Sequence, residues 1–198
     1  MAKILIQYPP EYACYEKFAR KLGKICQNLE VEAVYFVSDP TALIERWLQE
    51  RAAVEAKQIE SDSVPVGEIT HAVTFESADG LFAPINVEDV PSRTIVVPIT
   101  RVANKDRGEE FDVYIGRGTK WGNPYAVGFG QAPGQEADSR EEAIRKYAYD
   151  FSRGLLGDKN FMTDLAKLQG KRLGCHCKPL ACHGDVLAEY LNALDDGG

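Results

Sequence analysis

Two hydrophobic periods alternate along the chain, and their order predicts its architecture. Residues 4–7 form a short apolar run that reads as a buried strand, and Phe18, Leu22 and Ile25 then recur at helical spacing within residues 12–26. A second strand is expected over 31–37. Asp39 offers a helix N-cap with Pro40 at the first helical position, and Leu43, Ile44, Trp47, Leu48 and Val54 keep helical spacing up to the polar stretch 58–63. A third strand over 69–75 completes a β-α-β-α-β pattern, which implies a parallel sheet with right-handed crossovers. Ligands in such sheets sit at the carboxyl ends of the strands, here Tyr8-Pro9-Pro10 and Ser38-Asp39. Neither turn carries the glycine pattern of a pyrophosphate loop, and two prolines remove amide donors from the first. The likeness to Rossmann-like nucleotide-binding proteins is one of layout.

Residues 77–92, with Gly80, Pro84 and Pro91 among acidic residues, read as the connection between two halves, with domains expected at 1–90 and 91–198. The second half opens with an apolar strand over 94–100. A charged turn over 104–110 and a strand over 111–115 follow, and suggest an antiparallel pair. Residues 116–137 lack apolar periodicity and hold six glycines and two prolines, the mark of a functional loop. Ser139-Arg140-Glu141-Glu142 fits a capping box for a helix reaching about residue 153, and a shorter helix over 161–168 is stopped by Gly170. A strand over 171–177 and a helix over 182–194 close the chain. The fold class expected is α/β: a Rossmann-like β-α-β-α-β N-terminal half followed by a smaller mixed α/β domain.

Composition narrows what such a fold does. With 198 residues and 44% hydrophobic content the chain can bury a core without staples. No apolar run approaches the ~20 residues of a membrane span, and the N-terminal run is too brief for a signal-peptide core, so a cytoplasmic protein that does not enter membranes is expected. Five cysteines, three of them in one short segment, suit reduced thiols better than a secreted disulfide framework. The formal charge of −7 excludes general nucleic-acid binding, which depends on neutralising many phosphates. The imbalance lies in residues 1–100, with 9 Lys/Arg against 15 Asp/Glu; residues 101–198 carry 14 against 15, leaving room for a local basic site.

Two segments concentrate chemistry. In Tyr114 to Tyr125, glycines free the backbone to turn, Arg117 and Lys120 supply charge, and Thr119 and Asn123 can hydrogen-bond a phosphate or sugar. Trp121 or Tyr125 would stack on a base; the competing reading is a tight turn with Trp121 plugging the core and two solvated cations. Other cations flank the two segments, Arg101, Arg145, Lys171, Arg172 and Lys178 among them.

The second segment, Gly174 to Asp185, holds Cys175, His176, Cys177, Cys182 and His183. Strand alternation puts Cys175 and Cys177 on one side and His176 on the other, while Cys182, His183 and Gly184 land at a helix start, where amides and the dipole favour an anion. Three readings fit. Cys182 faces a phosphate or reacting centre with His183 and Asp185 for proton transfer and orientation. Alternatively, Cys175, Cys177, Cys182 and His183 bind zinc, although C-x-C-x4-C-H is not a usual finger spacing and adjacent helix residues diverge by about 100°. Or the thiols are small buried apolar groups and His183 merely caps the helix.

The runs Ile99 to Asn104, Tyr114 to Arg117, Lys120 to Pro124, Lys171 to Cys177 and Cys182 to Asp185 resemble the family called domain of unknown function 4326, found in phages and bacteria, over about residues 99–194. The resemblance brings no reaction. It implies that the Gly-Arg…Trp-Gly-Asn-Pro and Cys-x-Cys…Cys-His-Gly-Asp motifs belong to one site, and that a phage-encoded member works in the host cytoplasm. The function expected is binding of a small anionic ligand, a phosphorylated nucleoside or ADP-ribose-like molecule, with group transfer or hydrolysis on it. Arg117, Lys120, Trp121, Asn123 and Gly184 would hold the ligand; Cys182, His183 and Asp185 would act on it. The alternatives are a non-catalytic protein that sequesters a nucleotide in phage–host conflict, and a zinc-stabilised interaction module. Zinc is the one cofactor the residues suggest, and a homo-oligomer is compatible with all three.

Overall fold

The structure, a computed structural model, describes residues 1–128 and 134–198. The chain forms two compact units, one of residues 1–98 with 193–198 and the other of residues 99–192.

The first unit is built on a five-stranded parallel sheet in the order β3-β2-β1-β4-β5. Its strands are β1 (Ala2–Gln7), β2 (Val31–Phe36), β3 (Glu55–Gln58), β4 (His71–Ser77) and β5 (Ser92–Val97), with helices α1 (Tyr15–Cys26) and α2 (Leu43–Gln49) as crossovers. β1 is central because Ile4, Leu5 and Ile6 are apolar on both faces, as a covered parallel strand requires. Phe18 of α1 stacks on Phe75 of β4 with ring centroids 5.0 Å apart, and Tyr12 adds to the same cluster. This is the Rossmann-like α/β half expected.

Local details depart from expectation for identifiable reasons. Asp39 does serve the start of α2, but from outside: its two carboxylate oxygens accept from the amides of Ile44 and Glu45 at 3.0 and 2.8 Å, so the helix begins at Leu43. β3 was invisible because Glu55-Ala56-Lys57-Gln58 is an exposed edge strand with no apolar alternation. Residues 92–97 pair with β4 in parallel, which places this strand in the first sheet.

The strand order reverses between β1 and β4, where a Rossmann-like sheet usually holds its ligand. Here polar groups at the ends of β1 and β2 find partners within the protein. The Gln7 side chain exchanges two hydrogen bonds with the backbone of Ile85, at 2.7 and 3.0 Å, and the buried Tyr8 hydroxyl donates to Asp39.

The second unit holds a three-stranded parallel sheet, β6-β10-β7, made of β6 (Arg101–Asn104), β7 (Val113–Tyr114) and β10 (Arg172–Cys175). The expected antiparallel pair is absent. Asn104 caps a 3-10 turn over Lys105–Arg107 through its side chain, the chain bends away, and β10 inserts between β6 and β7 in parallel with both. β8 (Ala126–Val127) and β9 (Glu136–Ala137) form a small parallel pair. Helices α3 (Arg140–Ser152), α4 (Phe161–Ala166) and α5 (His183–Ala193) complete the unit. Ser139 caps α3 by accepting from the amide of Glu142 at 3.1 Å, and the Glu142 carboxylate accepts from Asp138 rather than Ser139. The functional loop expected over 116–137 falls partly on residues 129–133, outside the described residues.

A buried clasp closes this unit: Asn192 of α5 accepts from the Thr100 amide at 2.7 Å and donates to the Thr100 carbonyl at 3.1 Å. Asn192→Ala leaves both groups buried without partners and should cost about 1–3 kcal/mol. Urea unfolding of the variant is expected to show a lower midpoint, with faster amide exchange at Thr100.

Candidate functional site

After β7 the chain turns sharply. Thr119 bonds back to the Gly116 carbonyl through its hydroxyl at 2.9 Å, and the Gly122 amide donates to the Thr119 carbonyl at 3.1 Å. Gly122 is required by contact, since a Cβ there would lie 2.7 Å from the Gly116 carbonyl oxygen. Beyond the turn, Trp121 is 6% exposed and packs edge-on against Phe161, 5.0 Å between centroids, while its carbonyl accepts from the Tyr147 hydroxyl. Lys120 lies over the Trp121 ring and pairs with Asp164. Asn123 ties the loop to α3, donating to the Ala143 carbonyl at 3.1 Å and accepting from the Tyr125 amide at 2.9 Å. Held this way, the loop presents Arg117 and Asn123 to a cavity.

The thiol segment forms the floor of that cavity. Cys182 lies one residue ahead of α5 and the first residue of the helix is His183. The Cys182 sulfur accepts from the Gly184 amide at 3.3 Å, and the Cys182 amide donates to the Asp185 carboxylate at 2.9 Å. Asp185 also pairs with Lys178 at 2.6 Å, so its carboxylate closes the helix start. Gly184 is a packing glycine: a Cβ would meet Ile115 at 2.6 Å and Val102 at 3.0 Å.

The Cys175 and Cys177 sulfurs are 3.7 Å apart, on one side of the strand end as alternation requires, and Cys182 Sγ is 3.7 Å from His183 Nδ1. The other ring nitrogen of His183, Nε2, donates to the Ile115 carbonyl at 3.0 Å; a carbonyl only accepts, so the proton sits on Nε2 and Nδ1 offers a lone pair to the sulfurs. Hydrogen bonding from Cys182 lowers the Cys175 thiol below the ordinary range against the cost of burial. The same bond, with burial second, pushes Cys182 well above the ordinary thiol range. Burial, then the Cys175 charge, raises Cys177.

The cavity has a volume of about 530 Å³, within the range of small-molecule sites. Arg117 and Arg140 stand on its walls with Tyr114, Tyr125, Asn123 and His176; Ala143 and Ile144 supply apolar surface, and Cys175, Cys177, Cys182 and His183 the floor. Among the described residues, neither Arg117 nor Arg140 has a hydrogen-bond or ion-pair partner. Of the residues expected at the site, Arg117, Asn123, Cys175, Cys177, Cys182 and His183 come together here. Lys120, Trp121, Gly184 and Asp185 do not line the cavity.

Sequence reasoning missed Arg140, masked by its place in a capping box, and a hydrogen-bonded chain at the cavity wall. His176 donates from Nδ1 to Asp106 at 2.7 Å, which leaves Nε2 to accept from the Tyr114 hydroxyl at 2.9 Å. The only hint was the aromatic and imidazole character of these residues, because Asp106 lies 70 positions from His176 in the chain.

The fold and this cavity define an α/β protein with a Rossmann-like half and a thiol-floored pocket in the other half. The chain belongs to the minimal SLOG domain family over residues 1–103, a Rossmann-like, nucleotide-related domain, and carries the domain of unknown function DUF4326 over residues 99–193. It is 44% identical over 96 residues to the uncharacterized 12.4 kDa protein in the nrdA-td intergenic region of Enterobacteria phage T4, covering 48% of this chain and 81% of that one. No solved structure gives a significant match. No helix among the described residues is long and apolar enough to cross a membrane.

The bond from Lys120, with Lys167 second, holds the Asp164 carboxyl down at about 2. A depressed carboxyl stabilises the fold fully above its unfolded value of ~3.9, and that contribution is lost as pH falls through about 2. Lys120→Met should move the Asp164 midpoint upward in an NMR titration; an unmoved midpoint would show that Lys120 is not its main partner.

Proposed function

We propose that the second unit binds a small anionic, nucleotide-like molecule, a phosphorylated nucleoside or ADP-ribose-like ligand, in the cavity between the 114–127 segment, α3 and the start of α5. The observation that carries this reading is the pair of guanidinium groups, Arg117 and Arg140, that reach the cavity with no carboxylate partner among the described residues. An arginine fork matches a phosphate in two parallel hydrogen bonds and is the side chain best suited to grip one. Tyr114 and Tyr125 offer ring surface for a base, and Asn123 stands on the same wall. The nucleotide-related class of the SLOG half supports the same ligand chemistry.

Charge-assisted hydrogen bonds contribute about 1.5–3 kcal/mol each, so Arg117→Ala and Arg140→Ala should each weaken binding roughly 10- to 100-fold in calorimetric titrations against a panel of nucleotides and ADP-ribose. Lys120→Ala, paired outside the cavity, should change affinity little. Wild-type affinity in the Arg117→Ala/Arg140→Ala double variant, or a panel with no binder, would overturn the proposal.

A second reading, turnover of the bound ligand, rests on the Tyr114–His176–Asp106 chain. Asp106 orients His176, and His176 can take the Tyr114 proton, the arrangement by which a weak hydroxyl becomes a proton donor or nucleophile. Tyr114→Phe should abolish turnover while leaving affinity within a few fold. Ligand recovered chemically unchanged from the wild type would establish the sequestering alternative instead.

A further inference from the structure

We infer that Cys175, Cys177, Cys182 and His183 bind one zinc ion at the floor of the cavity. The donors are three sulfurs and one imidazole nitrogen, the soft set that selects zinc over hard cations. One donor atom from each of Cys175, Cys182 and His183 lies within 4.8 Å of the others, and Cys177 Sγ is 3.7 Å from Cys175 Sγ. Ligands about 2.3 Å from a tetrahedral centre stand about 3.8 Å from one another. The Cys175–Cys177 and Cys182–His183 separations, both 3.7 Å, match two edges of such a tetrahedron. A disulfide between Cys175 and Cys177 would require ~2.05 Å, and all five cysteines are free.

The surroundings are those of a metal shell rather than of an apolar core. His183 is held with Nε2–H on the Ile115 carbonyl, which fixes the tautomer and aims the Nδ1 lone pair at the sulfurs; metal-bound histidines are oriented in this way. Amides are directed at sulfur twice, from Gly184 to Cys182 at 3.3 Å and from Cys177 to Cys175, and N–H groups so placed stabilise thiolate ligands. Cys175, Cys182 and His183 are 3%, 1% and 5% exposed, so the converging donors are largely shielded at the cavity floor. The divergence of adjacent helix positions, which counts against this ligand set in the sequence, does not apply: Cys182 precedes the helix and His183 begins it. Cys175, Cys182 and His183 already converge; Cys177 lies outside that convergent group but beside Cys175, and it closes the coordination shell when its side chain turns to the ion. The ion therefore braces the β10–α5 turn, and this role is independent of the identity of the cavity's ligand.

Elemental analysis of the full chain, purified under reducing conditions without chelator, should give one zinc per chain. Apoprotein reloaded with cobalt should show thiolate-to-cobalt charge transfer and the intense visible bands of a tetrahedral site. Cys14→Ser and Cys26→Ser, at the thiols of the first unit, should keep the zinc, and Cys175→Ser and Cys182→Ser should lose it. Because those last variants can misfold, a mercurial titration of wild-type protein supplies the second measurement, and it should release one zinc per chain to a colour-forming chelator as the thiols react. Substoichiometric zinc that reloading does not restore would overturn the assignment, as would stoichiometric iron or copper in its place, or full zinc retention by the Cys175→Ser/Cys182→Ser variant.

Discussion

The hydrogen bond from His183 Nε2 to the carbonyl of Ile115 is the contact on which the second unit's chemistry depends. It joins the segment leaving β7 to the first turn of α5, two parts of the chain 68 positions apart. It also decides which nitrogen of the imidazole carries the proton, and so which face of the ring meets the sulfurs. Tyr147 packs edge-on against the same ring, and Ile115, whose carbonyl receives the bond, is fully buried. A bond sheltered in this way does not exchange readily with water, which makes the orientation durable.

The two units treat comparable polar groups in opposite ways. In the first, polar groups that follow β1 and β2 are paired within the protein: Gln7 is stitched to Ile85, and the Asp39 carboxylate accepts from the amides opening α2. In the second, acidic partners go to Lys120, Lys178 and Arg172, while among the described residues the two arginines on the cavity wall have none. The location of charge, more than its sum, decides where an anion can be held.

What could be read in advance depended on whether the governing interaction is local. Strand alternation at Cys175 and Cys177, the helix start beside Cys182 and the serine cap of α3 depend on neighbours a few residues away, and all were legible. The parallel Rossmann-like half was legible for the same reason, through the periodicity of its central elements. A buried Trp121 in a tight turn was one of the two readings the sequence left open, but the choice between them, and the pairing of Lys120, were not legible because Phe161 and Asp164 dictate these positions from about 40 residues away. Arg140 drew no attention because a capping box explains that stretch, although a helix surface leaves the arginine free to point elsewhere. β5 and β7 failed on pairing: a polar turn between two strands suggests a hairpin, and nothing local reveals that β5 pairs with β4 in the first sheet or that β10 is inserted between β6 and β7.

Asn104 carries a constraint of a different kind. Its side-chain oxygen accepts from the amides of Asp106 and Arg107, and its NH2 group donates to the carbonyl of Lys178 in the turn between the paired thiols and Cys182. Only an amide can accept at one end and donate at the other from so short a stem. Aspartate, identical in shape, would set a second acceptor against the Lys178 carbonyl, and deamidation at this position would do the same. A chemical change of one nitrogen to one oxygen would thus loosen the thiol-bearing turn and the segment that holds Asp106 together, tying two parts of the site to a single side-chain amide.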